Sequence, residues 1–252
     1  MQFGFGSGIF WGTPLTDATG AAISAPTPSQ LGVLQDCSID ASWDTKTLYG
    51  QNQYPVAAGR GKAKLSGKAK VAQLNGRMIN DLVYGQTLVN GILSDVYDTT
   101  GAPVPTTPFT ITPTVPGSGT WSADLGVRGP NGVPMTRVAS APTTGQYSVA
   151  AGVYTFAAAD TGLTMFINYQ YTATSTSAKK LTVMNLPMGY APTFRADIYV
   201  PYGGKSLVIT IPQCIASKFS IATKQDDFLV PEFDFEGFAD ASGYAMYWGV
   251  SE

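Results

Sequence analysis

The chain has 252 residues, 28 of them glycine and 17 proline, with 15 basic side chains against 17 acidic ones and no histidine. A net charge of −2 argues against a dedicated nucleic-acid binder, and the lack of histidine removes the commonest general acid/base and the commonest neutral-pH metal ligand. Apolar residues make up 44%, enough for a sizeable core, but charged residues only 13%, about half the usual share, so much of the surface is expected to be covered by partners.

Residues 1–30 are rich in Gly, Pro and Thr and show no period; Phe3, Phe5, Phe10 and Trp11 are scattered through them. They read as an N-terminal arm whose aromatics dock on a neighbour or on the chain's own surface. The run from Gly4 to Gly8 has the glycine content of a nucleotide-binding loop, but no strand precedes it and no amphipathic helix follows. No basic region leads into an apolar run at the N-terminus, and no stretch is long and apolar enough to span a bilayer. Neither a secretory signal nor stable membrane association is expected.

Residues 33–71 carry the least random pattern in the chain. Cys37, Ile39, Ala41 and Trp43 alternate with Asp36, Ser38, Asp40, Ser42 and Asp44; further on, Gly61, Ala63, Leu65, Ala69 and Val71 alternate with Arg60, Lys62, Lys64, Ser66, Lys68 and Lys70. A period of two places each set on its own face of a strand. Five of the 15 basic residues lie in the second strand. An acidic row beside a basic row makes favourable cross-strand pairs, each worth about 0.2–1 kcal/mol. Residues 45–59, rich in Gly, Asn, Gln and Pro, read as the loop between the strands. The charged faces are either a solvated sheet surface or a surface made by several subunits.

Next, Val71, Leu74, Met78 and Leu82 fall at helical spacing, predicting a helix over 71–84 with Gly85 as its stop. The internal Asn75-Gly76 pair costs helix propensity of about 1 kcal/mol, to be offset by burial. Residues 86–97 read as a strand and 98–108 as a proline-rich joint. From there to residue 178, short strand candidates alternate with turn signals and charges are few, as in a sandwich-like layer. Residues 194–202 alternate well, and Gly203-Gly204 predicts a tight hairpin turn. Glu232, Asp234 and Glu236 alternate with Phe233 and Phe235 as a second acidic strand face, and residues 244–250 close the chain as an aromatic strand.

Few residues suggest chemistry. Cys37 and Cys214 lie in apolar strands and read as buried free thiols of a reducing compartment. The acids Asp226, Asp227, Glu232, Asp234, Glu236 and Asp240 match no calcium-loop spacing, and a solvated or subunit-facing strand accounts for them better. There is no nucleophile elbow, phosphate loop or metal-ligand spacing. The basic strand lacks the stacking aromatics of single-strand binders. No enzyme activity, cofactor or metal is expected.

The segment Leu48-Tyr49-Gly50-Gln51-Asn52-Gln53-Tyr54-Pro55-Val56-Ala57, then Arg60 to Lys70 and a short helix, resembles tailed-bacteriophage major tail (tail tube) proteins. Residues 134–138, 145–149 and 228–240 share the likeness. The resemblance implies an all-β fold with one short helix, a β-sandwich or half-barrel of the tail-tube type with an elaborated β-rich insertion. It divides the chain into an arm (1–30), a tube domain (31–100 and 179–252) and an insertion (101–178), the last an outward decoration. It further implies hexameric rings stacked into a virion tail tube, assembled in the host cytoplasm, through which DNA passes. Tape measure, terminator and distal tail proteins would be its partners. The expected inter-subunit or channel-lining residues are Asp36, Asp40, Asp44, Arg60, Lys62, Lys64, Lys68, Lys70, Glu232, Asp234 and Glu236, with Phe3, Phe5, Phe10 and Trp11 as arm contacts. Inner surfaces of such tubes tend to be acidic, so the lysine row is expected to be neutralised by aspartate rows of the same or a neighbouring subunit. The alternative is a monomeric β-sandwich module binding a ligand such as carbohydrate through exposed Trp and Tyr.

Overall fold

The computed structural model describes residues 6–73 and 75–251. The chain is mostly strand and divides into two compact units, one formed by Met1–Leu88 with Leu181–Glu252, the other by Val89–Lys180.

The first unit opens with β1 (Ile9–Pro14), β2 (Ser29–Gln30), β3 (Leu34–Tyr49) and β4 (Pro55–Val71). A short α1 (Gly76–Ile79) runs directly into a π-helical turn at Asn80–Tyr84. The second unit contains β5 (Val89–Asn90), β6 (Ile92–Val96), β7 (Ala102–Pro103), β8 (Thr110–Ile111), β9 (Thr120–Arg128), β10 (Thr136–Arg137), β11 (Gln146–Ala150), β12 (Val153–Phe156), β13 (Thr164–Ala173) and β14 (Lys179–Lys180). The chain returns to the first unit with β15 (Thr193–Tyr202), β16 (Lys205–Ser220), β17 (Glu232–Phe238) and β18 (Tyr247–Val250).

The first unit is one eight-stranded sheet in the order β2-β1-β15-β16-β17-β4-β3, with β18 continuing beside β16 where β17 leaves off. Three strands separate β3 from β15, yet Cys37 and Ile39 of β3 line the same cleft as Ile198 and Val200 of β15. The sheet therefore curls into a half-barrel. Its concave face holds Phe10, Phe194, Phe233 and Phe235, whose rings meet at centroid distances of 5.6–5.9 Å, largely edge-on or tilted. Met78 and Leu82 of the helical segment close the same core. Two glycines permit this packing: a Cβ on Gly67 would lie 2.2 Å from the Phe235 ring, and one on Gly12 would lie 2.5 Å from Leu82.

Four expectations need correction. The N-terminal arm is not an arm throughout, because β1 pairs with β15 along its whole length and Phe10 is fully buried in the chain's own core. Its alternation escaped notice because two of its three inward positions are Gly12 and Pro14. The loop expected over 45–59 is mostly strand: pairing continues through Thr45↔Arg60 and Leu48↔Ala57 to Tyr49↔Pro55, leaving only 50–54 as the turn. The helix is shorter than predicted, because β4 keeps Val71 in its ladder with Leu34. Asn75 is the N-cap, its side chain accepting the amides of Arg77 and Met78 at 3.0 and 3.4 Å, so the Asn-Gly pair is a start signal and not an interior defect. Leu74 lies outside the described residues. Gly85, at φ 59°, is the left-handed stop. Fourth, the insertion begins at Val89 rather than 101 and ends at Lys180: Gly91 breaks the expected 86–97 strand, and β6 pairs with β13.

The second unit is a sandwich of two four-stranded sheets, β10-β11-β12-β8 and the group around β13 flanked by β6, β7 and β9. Met165, Ile167 and Tyr169 from one sheet meet Tyr147, Tyr154 and Phe156 from the other. Asp124, its side chain 3% exposed, accepts the hydroxyls of Tyr147 (2.7 Å) and Tyr154 (3.2 Å), while Arg137 stands 3.6 Å away. Burial and the bond to Asp124 push the Tyr147 phenol up, so it stays a proton donor at neutral pH.

If β1 is core, Phe10→Ala should lower stability by about 3–5 kcal/mol in urea unfolding, whereas truncating a side chain that merely rests on the surface costs about 0.5 kcal/mol or less.

Candidate assembly surfaces

Three features of the first unit lie outside its core: a free strand edge, a projecting ribbon, and a charged convex face. All three involve β3 and β4.

The sheet ends at β3, a 16-residue strand hydrogen-bonded to β4 on one side only. At about 3.4 Å per residue it presents an unpaired edge roughly 50 Å long. Beyond Trp43 and Ala63 both strands leave the sheet, and every residue from Ala41 to Lys64 is exposed. A two-stranded ribbon with no core of its own thus stands clear of the domain. Near its tip are Leu48, Tyr49, Tyr54 and Val56, exposed by 60–81%. Arg60 lies over the Trp43 ring at 4.5 Å and stiffens its base.

The convex face is charged. Alternation sends Phe233 and Phe235 of β17 inward and Glu232, Asp234 and Glu236 outward, beside the outward lysines of β4. Lys64 Nζ is 2.9 Å from Glu236 Oε1. Lys68 and Lys70 are both 3.4 Å from Glu232 Oε1, and Lys218 of β16 is 3.5 Å from Glu232 Oε2. Burial alone would raise the Glu232 carboxyl, but Lys68, Lys70 and Lys218 outweigh it and hold it below its ordinary value of 4.5.

Lys64, Lys68 and Lys70 are therefore paired within the chain by glutamates of β17, and the chain's own Asp36, Asp40 and Asp44 do not pair with them. Asp36 is opposite Lys70 in the ladder, and Ser38 and Ser42 are opposite Lys68 and Lys64. Among the described residues, none of Asp36, Asp40 and Asp44 makes an ion pair, and Lys62 has no carboxylate partner. The register accounts for this: on β3 only Asp36 is opposite a lysine, whereas Glu232 of β17 is directly opposite Lys70 and next to Lys68. Lys218 was missed by sequence reading: a bulge between Ala216 and Lys218 reverses the alternation and turns it outward. Asp234 is between Lys68 and Lys218 in register, yet its Oδ1 is buried without a hydrogen-bond partner.

Of the expected arm contacts, Phe10 belongs to the core, Trp11 is half-buried on β1 opposite Asp197, and Phe3 and Phe5 lie outside the described residues. Cys37 and Cys214 are free thiols; burial pushes them up to about 11 and about 12, so both stay protonated. Among the described residues, no group of three His, Cys, Asp or Glu could hold a metal ion, and no helix is long and apolar enough to cross a membrane. No protein-family model matches the chain, and no curated protein is significantly similar to it.

A carboxylate held low stabilises the fold only while ionised. Its contribution is complete above the ordinary value and disappears as pH falls through the lowered one. Wild type should therefore exceed Glu232→Gln in thermal midpoint near pH 7, and the difference should shrink as pH falls below 4.5. A calorimetric difference that stays constant over that range would mean the lysines draw nothing from this charge.

Proposed function

We propose that this chain is a structural subunit of a bacteriophage tail tube, not an enzyme. On this reading, copies join edge to edge into hexameric rings, and the rings stack into the channel through which DNA leaves the virion. Assembly takes place in the host cytoplasm, and the tube ends meet the tape measure, terminator and distal tail proteins.

The observation that carries the reading is the free edge of β3. Monomeric β proteins shorten, charge, cover or interrupt such edges. Here 16 residues run without a proline and with no second strand partner among the described residues, and the outer part stands clear of the domain. An edge of that length is satisfied by another strand, and the simplest source is a second copy. The exposed tip supports the same reading, because Leu48, Tyr49, Tyr54 and Val56 are apolar or aromatic and exposed by 60–81%, as a surface awaiting a partner would be. A contact between two different patches is heterologous and closes into rings or extends into filaments. The low charge of the whole chain fits a surface largely covered in the assembly. The Val89–Lys180 sandwich has its own core and is not required by this reading.

Purified chain should form rings or tubes by negative-stain microscopy and sediment far above its 26.5 kDa monomer mass. Leu48→Lys with Tyr54→Lys should leave the unfolding midpoint nearly unchanged, since exposed substitutions cost about 0.5 kcal/mol or less, yet abolish stacking. A monodisperse monomer at high concentration would instead favour the ligand-binding module.

A further inference from the structure

We infer that the uncovered part of the half-barrel's concave face is the seat of the chain's own N-terminal residues, with Phe5 and Phe3 as the side chains that fill it. The sequence left two destinations for these aromatics, a neighbouring copy or the chain itself. The path of the chain at residues 6–8 selects the second. The inference concerns a single copy and does not need assembly.

The phenylalanine core does not cover the whole concave face. Beside it remains a cleft of about 470 Å³, lined by Cys37 and Ile39 of β3, Ile198 and Val200 of β15, and Leu207 and Ile209 of β16. Ile198 is buried, but the other five of these apolar side chains are only half-buried. Among the described residues of the lining, Asp36 alone is charged, and no basic group is present. The cleft therefore suits an apolar occupant and not an anion.

The place where the described chain begins identifies that occupant. Gly6, the first described residue, and Ser7 line the same cleft. Ser7 donates its hydroxyl to the Leu34 carbonyl of β3 at 2.6 Å. Gly8, at φ 72°, lies so close to β15 that a Cβ would be 2.6 Å from the Tyr199 carbonyl oxygen. The chain is thus fixed to both walls of the cleft just before β1, and the residue upstream of this double anchor is part of the lining. Phe5 is one peptide from Gly6, about 3.8 Å between Cα atoms, and Phe3 is at most about 11 Å away. Spaced by two, their rings project to one side of an extended segment. A tethered segment also outcompetes a separate copy at micromolar concentration, because its effective concentration is about millimolar.

Cys37 reports whether the cleft is filled, since it is part of the lining, while the fully buried Cys214 serves as internal control. The test follows N-ethylmaleimide alkylation of the native full chain by mass spectrometry. It compares wild type with Phe3→Ser plus Phe5→Ser, and with Phe228→Ser, an 89% exposed phenylalanine outside the cleft. Emptying the cleft should speed alkylation of Cys37 by about tenfold or more, with Cys214 and the Phe228→Ser control unchanged. Equal Cys37 rates in wild type and the double variant would overturn the inference, and fast reaction in both would mark a cleft open to a ligand. A rise shared by Cys214 or by the control would overturn it too, as general loosening of the fold. Should the double variant fail to fold, Phe5→Cys decides. Oxidised with diamide, its sulfur is expected to bond to that of Cys37 within one chain; a disulfide-linked dimer assigns the cleft to a neighbour's segment, and either that or no disulfide overturns the inference. Cys37 faces the cleft and not the free backbone edge of β3, so failure of wild type to form tubes would count against the assembly reading and leave this result standing.

Discussion

The pairing of β4 with β17 is the contact on which the first unit depends. Among the described residues, six register pairs, from Glu232↔Lys70 to Gly237↔Leu65, form the ladder that joins the β3–β4 ribbon to the rest of the sheet. The two faces of this short ladder have different tasks. Inward, Phe235 covers Gly67 so closely that no side chain fits there, which draws β4 down onto the aromatic core. Outward, Glu232 and Glu236 gather the lysines that would otherwise repel one another along β4. Each exposed ion pair contributes little singly, about 0–1 kcal/mol. The aromatic face supplies most of the adhesion, and its alternation fixes the register.

This division explains why the ribbon can project. A two-stranded hairpin is marginal in water without a third strand or a packed face. The distal half of β3–β4 has neither, so its order comes from its root, where β17 holds it, and from contacts such as Arg60 on Trp43. β17 ends at Phe238 and β18 resumes beside β16 only at Tyr247, so nothing flanks β4 beyond Leu65 on that side. The interruption between β17 and β18 is thus where the ribbon leaves the sheet. One chain thereby presents an anchored root, a free edge and an apolar tip.

The second unit follows different rules. Its core is centred on tyrosines rather than phenylalanines, and their hydroxyls converge on Asp124, a carboxylate inside the sandwich that they and Arg137 satisfy. A buried acid on β9 with partners on β10, β11 and β12 of the facing sheet ties the layers together in a way that apolar packing alone does not.

Much of this was legible in the sequence because it is local. Period-two alternation identified β3, β4, β15 and β17 and assigned their polar faces; paired glycines marked the β15–β16 turn; Gly85 marked the end of the helix. These signals need only a residue and its near neighbours. What tertiary structure alone decided is everything in which a residue's role depends on a distant partner. Phe10 became core because β15 offered it a ladder, and Gly12 had hidden the alternation. The lysines took glutamates from β17, more than 150 residues away, because the register sets serines opposite Lys64 and Lys68 on β3. A bulge at Ser217 turned Lys218 into that network against the local period. Alternation states which face a side chain occupies, but only the order of strands in the sheet determines which charge it meets there.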